Sequence, residues 1–232
     1  MFNNTIFKVS MLAAAVTMAG CANDEGTPVI PPPPADEALV IIDDGATGSF
    51  TLKVGYAPDY QKTELAKDGT YDQAGLKVSP SANGEEYVWE VETFGNGEAY
   101  FIVGSDTQMD MTDYQAGIYV FDLNVTNATA SGNYAHQIVM QTSGGATDYL
   151  DRNTYYFGQD QLADLEGEGW KTITVPVSCL SADENGNFDI TKVNEVFRLD
   201  IRNESVTYEL GTVKLEKDAT MSPEGAVEWT CG

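Results

Sequence analysis

Val196-Phe197-Arg198-Leu199-Asp200-Ile201-Arg202 alternates apolar and charged side chains without a break. A period of two places Phe197, Leu199 and Ile201 on one face of an extended strand and Arg198, Asp200 and Arg202 on the other. One face packs on a core and the other is polar and carries arginine, the pattern of a strand in an antiparallel sheet. Lys171 to Val177 repeats it, with Ile173, Val175 and Val177 on one side and Trp170, Thr172 and Thr174 on the other. Gly117 to Val125 is apolar on both faces, as a central strand with a covered outer side requires. Further short runs of β-branched and aromatic residues, bounded by Gly, Asn, Asp and Pro, are Leu39 to Ile42, Ser49 to Val54, Leu76 to Val78, Tyr87 to Thr93, Ala99 to Ser105, Ala135 to Thr142 and Val206 to Leu215. No stretch sustains a helical period, although Gln159 to Leu165 accommodates a turn or two of helix ended by Gly167 and Gly169. The expected fold is all-β: an antiparallel two-sheet β-sandwich.

Composition narrows the function. The 232 residues hold 36 Asp plus Glu against 12 Lys plus Arg, a formal charge of −24 and a pI near 4.1. So acidic a chain is not a nucleic-acid reader of the usual basic kind, and general repulsion disfavours anionic polysaccharides unless arginines make a local pocket. With 42% hydrophobic residues it can bury a core, which excludes a disordered chain. A single histidine, His136, excludes zinc sites built from several imidazoles.

The first residues, MFNNTIFKVSMLAAAVTMAGC, carry one cation, Lys8, before an apolar run from Val9 to Met18 that is too short to span a bilayer. This is the pattern of an export signal. Met18-Ala19-Gly20-Cys21 resembles the lipobox of bacterial lipoproteins, which implies cleavage after residue 20 and lipidation of Cys21; a plain secretory signal is the alternative. Residues 21–37, with Pro31 to Pro34, form a stiff spacer. Ala22 stands where that family carries an inner-membrane retention Asp. The expectation is thus an outer-membrane lipoprotein of a Gram-negative bacterium, periplasmic or surface-exposed, with a sandwich over residues 38–217 and a tail over 218–232. In an oxidising compartment Cys179 and Cys231 either form a bridge or remain as a buried thiol and a loose tail.

Gly169-Trp170-Lys171-Thr172-Ile173-Thr174-Val175-Pro176-Val177-Ser178-Cys179-Leu180 resembles a signature of the C-terminal galactose-binding-like β-sandwich domain of ExoP-type exo-β-glucanases in glycoside hydrolase family three. Asn96-Gly97-Glu98-Ala99 and Met109-Asp110-Met111-Thr112 upstream, and Phe188 to Val193 and Leu210 to Leu215 downstream, are similar in order and spacing. The resemblance covers about Gly75 to Glu216. It implies a jelly-roll, carbohydrate-binding-module-like sandwich without catalysis, since catalysis in those enzymes belongs to domains this chain has no room for. The family's cysteine-bearing loop is replaced here by Thr142-Ser143-Gly144-Gly145-Ala146, so Cys179 lacks its family partner, which supports the bridge to Cys231.

Two constellations suit sugars, whose C–H faces stack on aromatic rings and whose hydroxyls pair with planar polar groups. One is the loop around Tyr149, Asp151, Arg152, Asn153 and Tyr155; its alternative role is to close one end of the core. The other is an outer face with Trp170, Arg198 and Arg202, where salt bridging with Asp200 is the alternative. Tyr87 and Trp89 share one face of their strand, as core or as platform. Asp183, Asn185, Asn187 and Asp189 place side-chain oxygens at alternate positions, the spacing of a structural calcium loop or of a solvated turn, and Asp43 with Asp44 is a separate calcium option. The Glu-x-Asp-x-x-Glu motif of jelly-roll endoglucanases is missing: Glu216-Lys217-Asp218 begins it, but Met221 stands at the second Glu. His136 has no neighbouring nucleophile signature. The functional expectation is a non-catalytic, lipid-anchored protein that captures a neutral poly- or oligosaccharide, a β-glucan first, near glycan uptake or hydrolase machinery. A jelly-roll hydrolase or lyase and an adhesion module for a protein partner are the alternatives.

Overall fold

The structure, a computed structural model, describes residues 38–57, 61–95, 97–128, 135–142, 151–182 and 186–231. In chain order the strands are β1 (Leu39–Ile42), β2 (Thr51–Tyr56), β3 (Thr63–Leu65), β4 (Tyr71–Gln73), β5 (Leu76–Asn83), β6 (Glu86–Thr93), β7 (Glu98–Met109), β8 (Ile118–Asn127), β9 (His136–Thr142), β10 (Arg152–Phe157), β11 (Lys171–Pro176), β12 (Ser181–Ala182), β13 (Val193–Arg202), β14 (Thr207–Glu216) and β15 (Val227–Glu228). One short helix, α1 (Gln159–Ala163), follows β10. The strands form two sheets. One runs β15-β11-β8-β14-β6-β5-β4 with β1 also on β14, and the other runs β12-β10-β9-β13-β7-β2-β3. Among the described residues only the pairing of β15 with β11 is parallel.

Alternation decides what lies between the sheets. Phe197, Leu199 and Ile201 of β13 face Tyr119, Phe121, Leu123 and Val125 of β8 in one continuous core. The Phe197 ring centroid is 5.8 Å from those of both Tyr119 and Phe121. Tyr119 is fully buried, so its hydroxyl needs an internal acceptor; it donates to the Val196 carbonyl at 2.6 Å, across the gap between sheets. Trp89 (1% exposed) packs edge-on to Phe101, which makes it core, whereas Tyr87 at the strand's start is 52% exposed beneath Lys67. β8 is the central strand its two apolar faces require, with Ile118 and Val120 buried on the outward side as well.

The segment beyond residue 217, expected as a tail, completes the sandwich. β15 pairs with β11, the Trp229 N–H donates to the Thr174 carbonyl at 2.9 Å, and the Trp229 ring stacks on Phe157 at 4.7 Å with its edge toward Phe121. A two-residue strand and one indole have no periodicity to mark them in a sequence. Cys179 and Cys231 form the disulfide, closing a loop of 52 residues. In the chain-entropy account such a bridge contributes about 4 kcal/mol by restricting the unfolded chain. Cys231→Ser should therefore lower the unfolding free energy by about that amount in urea titration, with a larger m-value because the unfolded chain is no longer held compact by the bridge.

Candidate functional site

The face of β13 turned away from the core carries Arg198, Asp200 and Arg202. Register sets these beside Ile102, Tyr100 and Glu98 of β7. On the other side Arg198 and Asp200 meet Val139 and Gln137 of β9. β10 then adds Arg152, Thr154 and Tyr156, opposite Gln141, Val139 and Gln137. The chain contains three arginines, and all of them lie on this one face of a protein with charge −24.

The charges neutralise one another. Arg198 Nε donates to Asp200 Oδ1 at 2.7 Å and Oδ2 at 2.9 Å, and its Nη1 reaches Gln141 Oε1 at 3.4 Å and Glu195 at 3.5 Å. Its guanidinium carbon sits 4.6 Å above the Tyr100 ring. Lys62 Nζ pairs with Glu195 at 2.5 Å, and Arg202 with Glu98 at 3.5 Å. Gly55, beside Tyr100 in register, is where the Gln61 carbonyl crosses β2; a Cβ there would collide with it, and this crossing brings Lys62 over the sheet. Asp200 is fully buried, which pushes its carboxyl up to about 6 against the pull of Arg198 and Arg152. Burial opposes the charge on Arg198 too, but Asp200, Glu195 and Glu98 outweigh it and its pKa lies above the ordinary value. Gln137 Oε1 and Thr154 Oγ1 are buried on this face without a hydrogen-bond partner among the described residues, while Tyr156 is 45% exposed beside them. The arrangement combines an open aromatic ring, an accessible ion pair in Arg202 and Glu98, and fixed amide and carboxylate groups. Such a surface can stack on a C–H face and satisfy hydroxyls.

His136 serves the same strand. Its Nδ1 accepts from the Arg202 N–H at 3.1 Å and its Nε2 lies 2.6 Å from Gln159 Oε1, which requires the neutral ring; burial lowers its pKa accordingly. The imidazole is fully buried and extends the ladder where the β9 to β13 pairing ends.

The expected site residues separate. Arg152, Arg198 and Arg202 converge on the face just described. Tyr155 does not: β10 is a strand, not a loop, and alternation turns Tyr155 (5% exposed) and Phe157 inward, the Tyr155 hydroxyl donating to the Thr230 carbonyl at 3.3 Å. Its ring has no free side for a sugar, and Tyr156, missed in the sequence, takes the outward position; Arg152 to Phe157 has no polar–apolar alternation to mark it. Asp151 is buried, Asn153 is half-buried at the β10 and β12 edge, and Tyr149 lies outside the described residues. Trp170 is not on the arginine face. It precedes β11 and lies against Gly211 on the outward side of the other sheet, because β11 and β13 belong to different sheets.

Asp183, Asn185 and Cys21 also lie outside the described residues. Asn187 is exposed, and Asp189 caps a short turn: its Oδ1 accepts from Thr191 N and Oγ1 at 3.0 and 2.7 Å, and Lys192 pairs with Oδ2 at 3.0 Å. Asp44 is similarly committed, accepting from the Tyr87 N–H at 2.7 Å and pairing with Lys67. Among the described residues no group of three or more His, Cys, Asp or Glu is placed to hold a metal, and no helix is long and apolar enough to cross a membrane. A shallow depression of about 340 Å³ lies on the other sheet, lined by Asp72, Gln73, Ala74, Lys77 and Phe94, where the Lys77 ammonium covers the Phe94 ring at 5.1 Å.

No protein-family model matches the chain, and no curated protein matches it. Solved structures do. The exo-1,3/1,4-β-glucanase of a Pseudoalteromonas species superposes with a TM-score of 0.59 at 8% identity, over 84% of this chain and 22% of that one. Its extra C-terminal domain taken alone superposes with a TM-score of 0.58 at 9% identity, over 84% of this chain and 99% of the domain. The chain has the fold of a carbohydrate-binding module. A family 30 carbohydrate-binding module from a cellulosomal cellulase of Clostridium thermocellum shares this galactose-binding-like sandwich, with a TM-score of 0.52 at 13% identity over 80% of this chain and 99% of the module. The fold implied by Gly169 to Leu180 is thus the fold observed. This carbohydrate-binding-module fold spans only 22% of the glucanase's length, and at such identities the likeness concerns architecture.

Two measurements test this account of the site. Asp200→Asn should cost about 3 to 5 kcal/mol in urea unfolding because it leaves Arg198 buried without its carboxylate, whereas Arg198→Met with Asp200→Leu should come close to neutral. Hydrogen bonds from Thr191 and the Lys192 ammonium hold Asp189 at about 2, below its unfolded value of 3.8. Its contribution to stability is present above the unfolded value and is lost as pH falls through the folded one. Asp189→Asn should flatten the fall in melting temperature between about pH 4 and pH 2.

Proposed function

We propose that this protein is a non-catalytic carbohydrate-binding protein that holds a neutral glycan on the outward face of its seven-stranded sheet. The observation that carries this reading is the convergence of Tyr156, Arg152, Arg202, Glu98 and Gln137 on one face of a carbohydrate-binding-module fold, in a chain whose overall charge is strongly acidic. Lys62, Arg198 and Arg202 are each paired with a carboxylate on this face, which favours hydroxyl-rich uncharged chains over uronic or sulfated ones. A β-glucan is the first candidate, because the similar enzyme is an exo-1,3/1,4-β-glucanase. The non-catalytic reading is supported by Asp200, whose two oxygens both face Arg198 and have no solvent contact. In this proposal Cys21 is lipidated and residues 21–37 hold the sandwich off the outer membrane, where captured glycan is passed to uptake or hydrolytic machinery. A structural calcium ion in the loop containing Asp183, Asn185, Asn187 and Asp189 remains part of the proposal.

Isothermal titration with laminarin and mixed-linkage glucan oligosaccharides should give saturable heat. Tyr156→Ala and Arg202→Ala should each weaken binding by about 10- to 100-fold, as truncation of an anchoring residue does. Tyr155→Ala should instead lower the melting temperature. Equal affinity in wild type, Tyr156→Ala and Arg202→Ala would sink the assignment of this face.

A further inference from the structure

The outward face of the eight-stranded sheet has a different character. Trp170 is half-exposed, and its Cζ3 is so close to Gly211 that a Cβ on that residue would come within 3.2 Å of it. Glycine at this point of β14 leaves room for an indole to lie across the strand beside Asp122. Next to the indole, Thr172 Oγ1 donates to Asp122 Oδ1 at 2.6 Å. Further along the face, Asn124 Nδ2 and Ser81 Oγ donate to the two oxygens of Glu209 at 2.8 and 3.2 Å. All of these side chains are half-buried, with one side in water. Among the described residues neither Asp122 nor Glu209 has a Lys or Arg within ion-pair distance.

We infer that this face is a second glycan-contact surface, with Trp170 as the stacking platform and the Asp122–Thr172 and Glu209–Asn124–Ser81 groups as hydroxyl partners. The inference extends the carbohydrate-binding reading to a second sheet. A carboxylate oriented by neutral donors keeps lone pairs for incoming hydroxyls and repels anions. An uncharged pyranose chain satisfies both requirements: its C–H face stacks on the indole and its hydroxyls donate to fixed carboxylates. Lying on the sheet opposite the arginine face, this surface would let one molecule engage two glycan chains, or two stretches of one, and gain avidity without new contacts.

The three tryptophans make the test direct. Trp89 and Trp229 are 1% and 4% exposed, so acrylamide-quenchable emission reports Trp170. Titrating the full chain with laminarihexaose and with cellohexaose should blue-shift the emission and cut the quenching constant at least twofold with one of them. Trp170→Phe should abolish that response, while Tyr156→Ala should leave it intact. Calorimetry should then read two hexasaccharides per wild-type chain and one for Trp170→Ala, with the wild-type circular dichroism spectrum certifying its fold. A stoichiometry of one with unchanged quenching in wild type overturns the second surface and leaves the arginine face standing. A stoichiometry of one that survives Tyr156→Ala but is lost with Trp170→Ala overturns the arginine face instead. No binding of either hexasaccharide overturns both.

Discussion

Phe197, wedged against Tyr119 and Phe121 of the facing sheet, sets the register on which the arginine face depends. A strand has two sides, and a slip of one residue would exchange them. With Phe197 in the core, Leu199 and Ile201 follow inward, and Arg198, Asp200 and Arg202 have nowhere to go but out. The Tyr119 hydroxyl bonded to the Val196 carbonyl adds a directional constraint to a contact that apolar packing alone would leave free to slide. Because β13 lies between β9 and β7, its register passes to both neighbours and through β9 to β10, which brings Tyr156 and Arg152 to the arginines.

The outward faces solve the problem of an acidic surface in opposite ways. On the seven-stranded sheet every arginine of the chain is gathered, and Asp200 and Glu98 pair with Arg198 and Arg202 within a molecule of charge −24. Desolvating Arg198 and Asp200 costs more than an exposed pair would, and a bifurcated bond from Nε to both carboxylate oxygens, an amide and an aromatic ring offset that cost. On the eight-stranded sheet Asp122 and Glu209 are oriented by hydroxyls and an amide beside a half-exposed indole.

Much of the fold was legible because alternation is a local property. Strands such as Lys171 to Val177 and Val196 to Arg202 announce their inner and outer residues in the chain itself, and the helical turn ending before Gly167 and Gly169 is marked in the same way; both glycines adopt positive φ. β10 was harder. Asp148 to Phe157 is rich in tyrosine and polar residues, a composition shared by binding loops and strands, and composition drew Tyr155 into a site that the outward side of β10 gives to Tyr156. The tail illustrates the opposite difficulty: Trp229 and β15 have too few residues to show a period, yet they fill one end of the core.

From the order of residues alone follow an all-β sandwich, the inward and outward residues of its long strands, and an acidic surface with three arginines to place. That order does not say that Arg198 and Trp170 belong to different sheets, or that Arg152 joins Arg198 and Arg202. Side-chain alternation depends on neighbours along the chain, whereas sheet membership depends on backbone hydrogen bonds between strands far apart in it. The pairing of β13 with β9 and β7, and of β11 with β8 and β15, is therefore what selects the polar faces that meet.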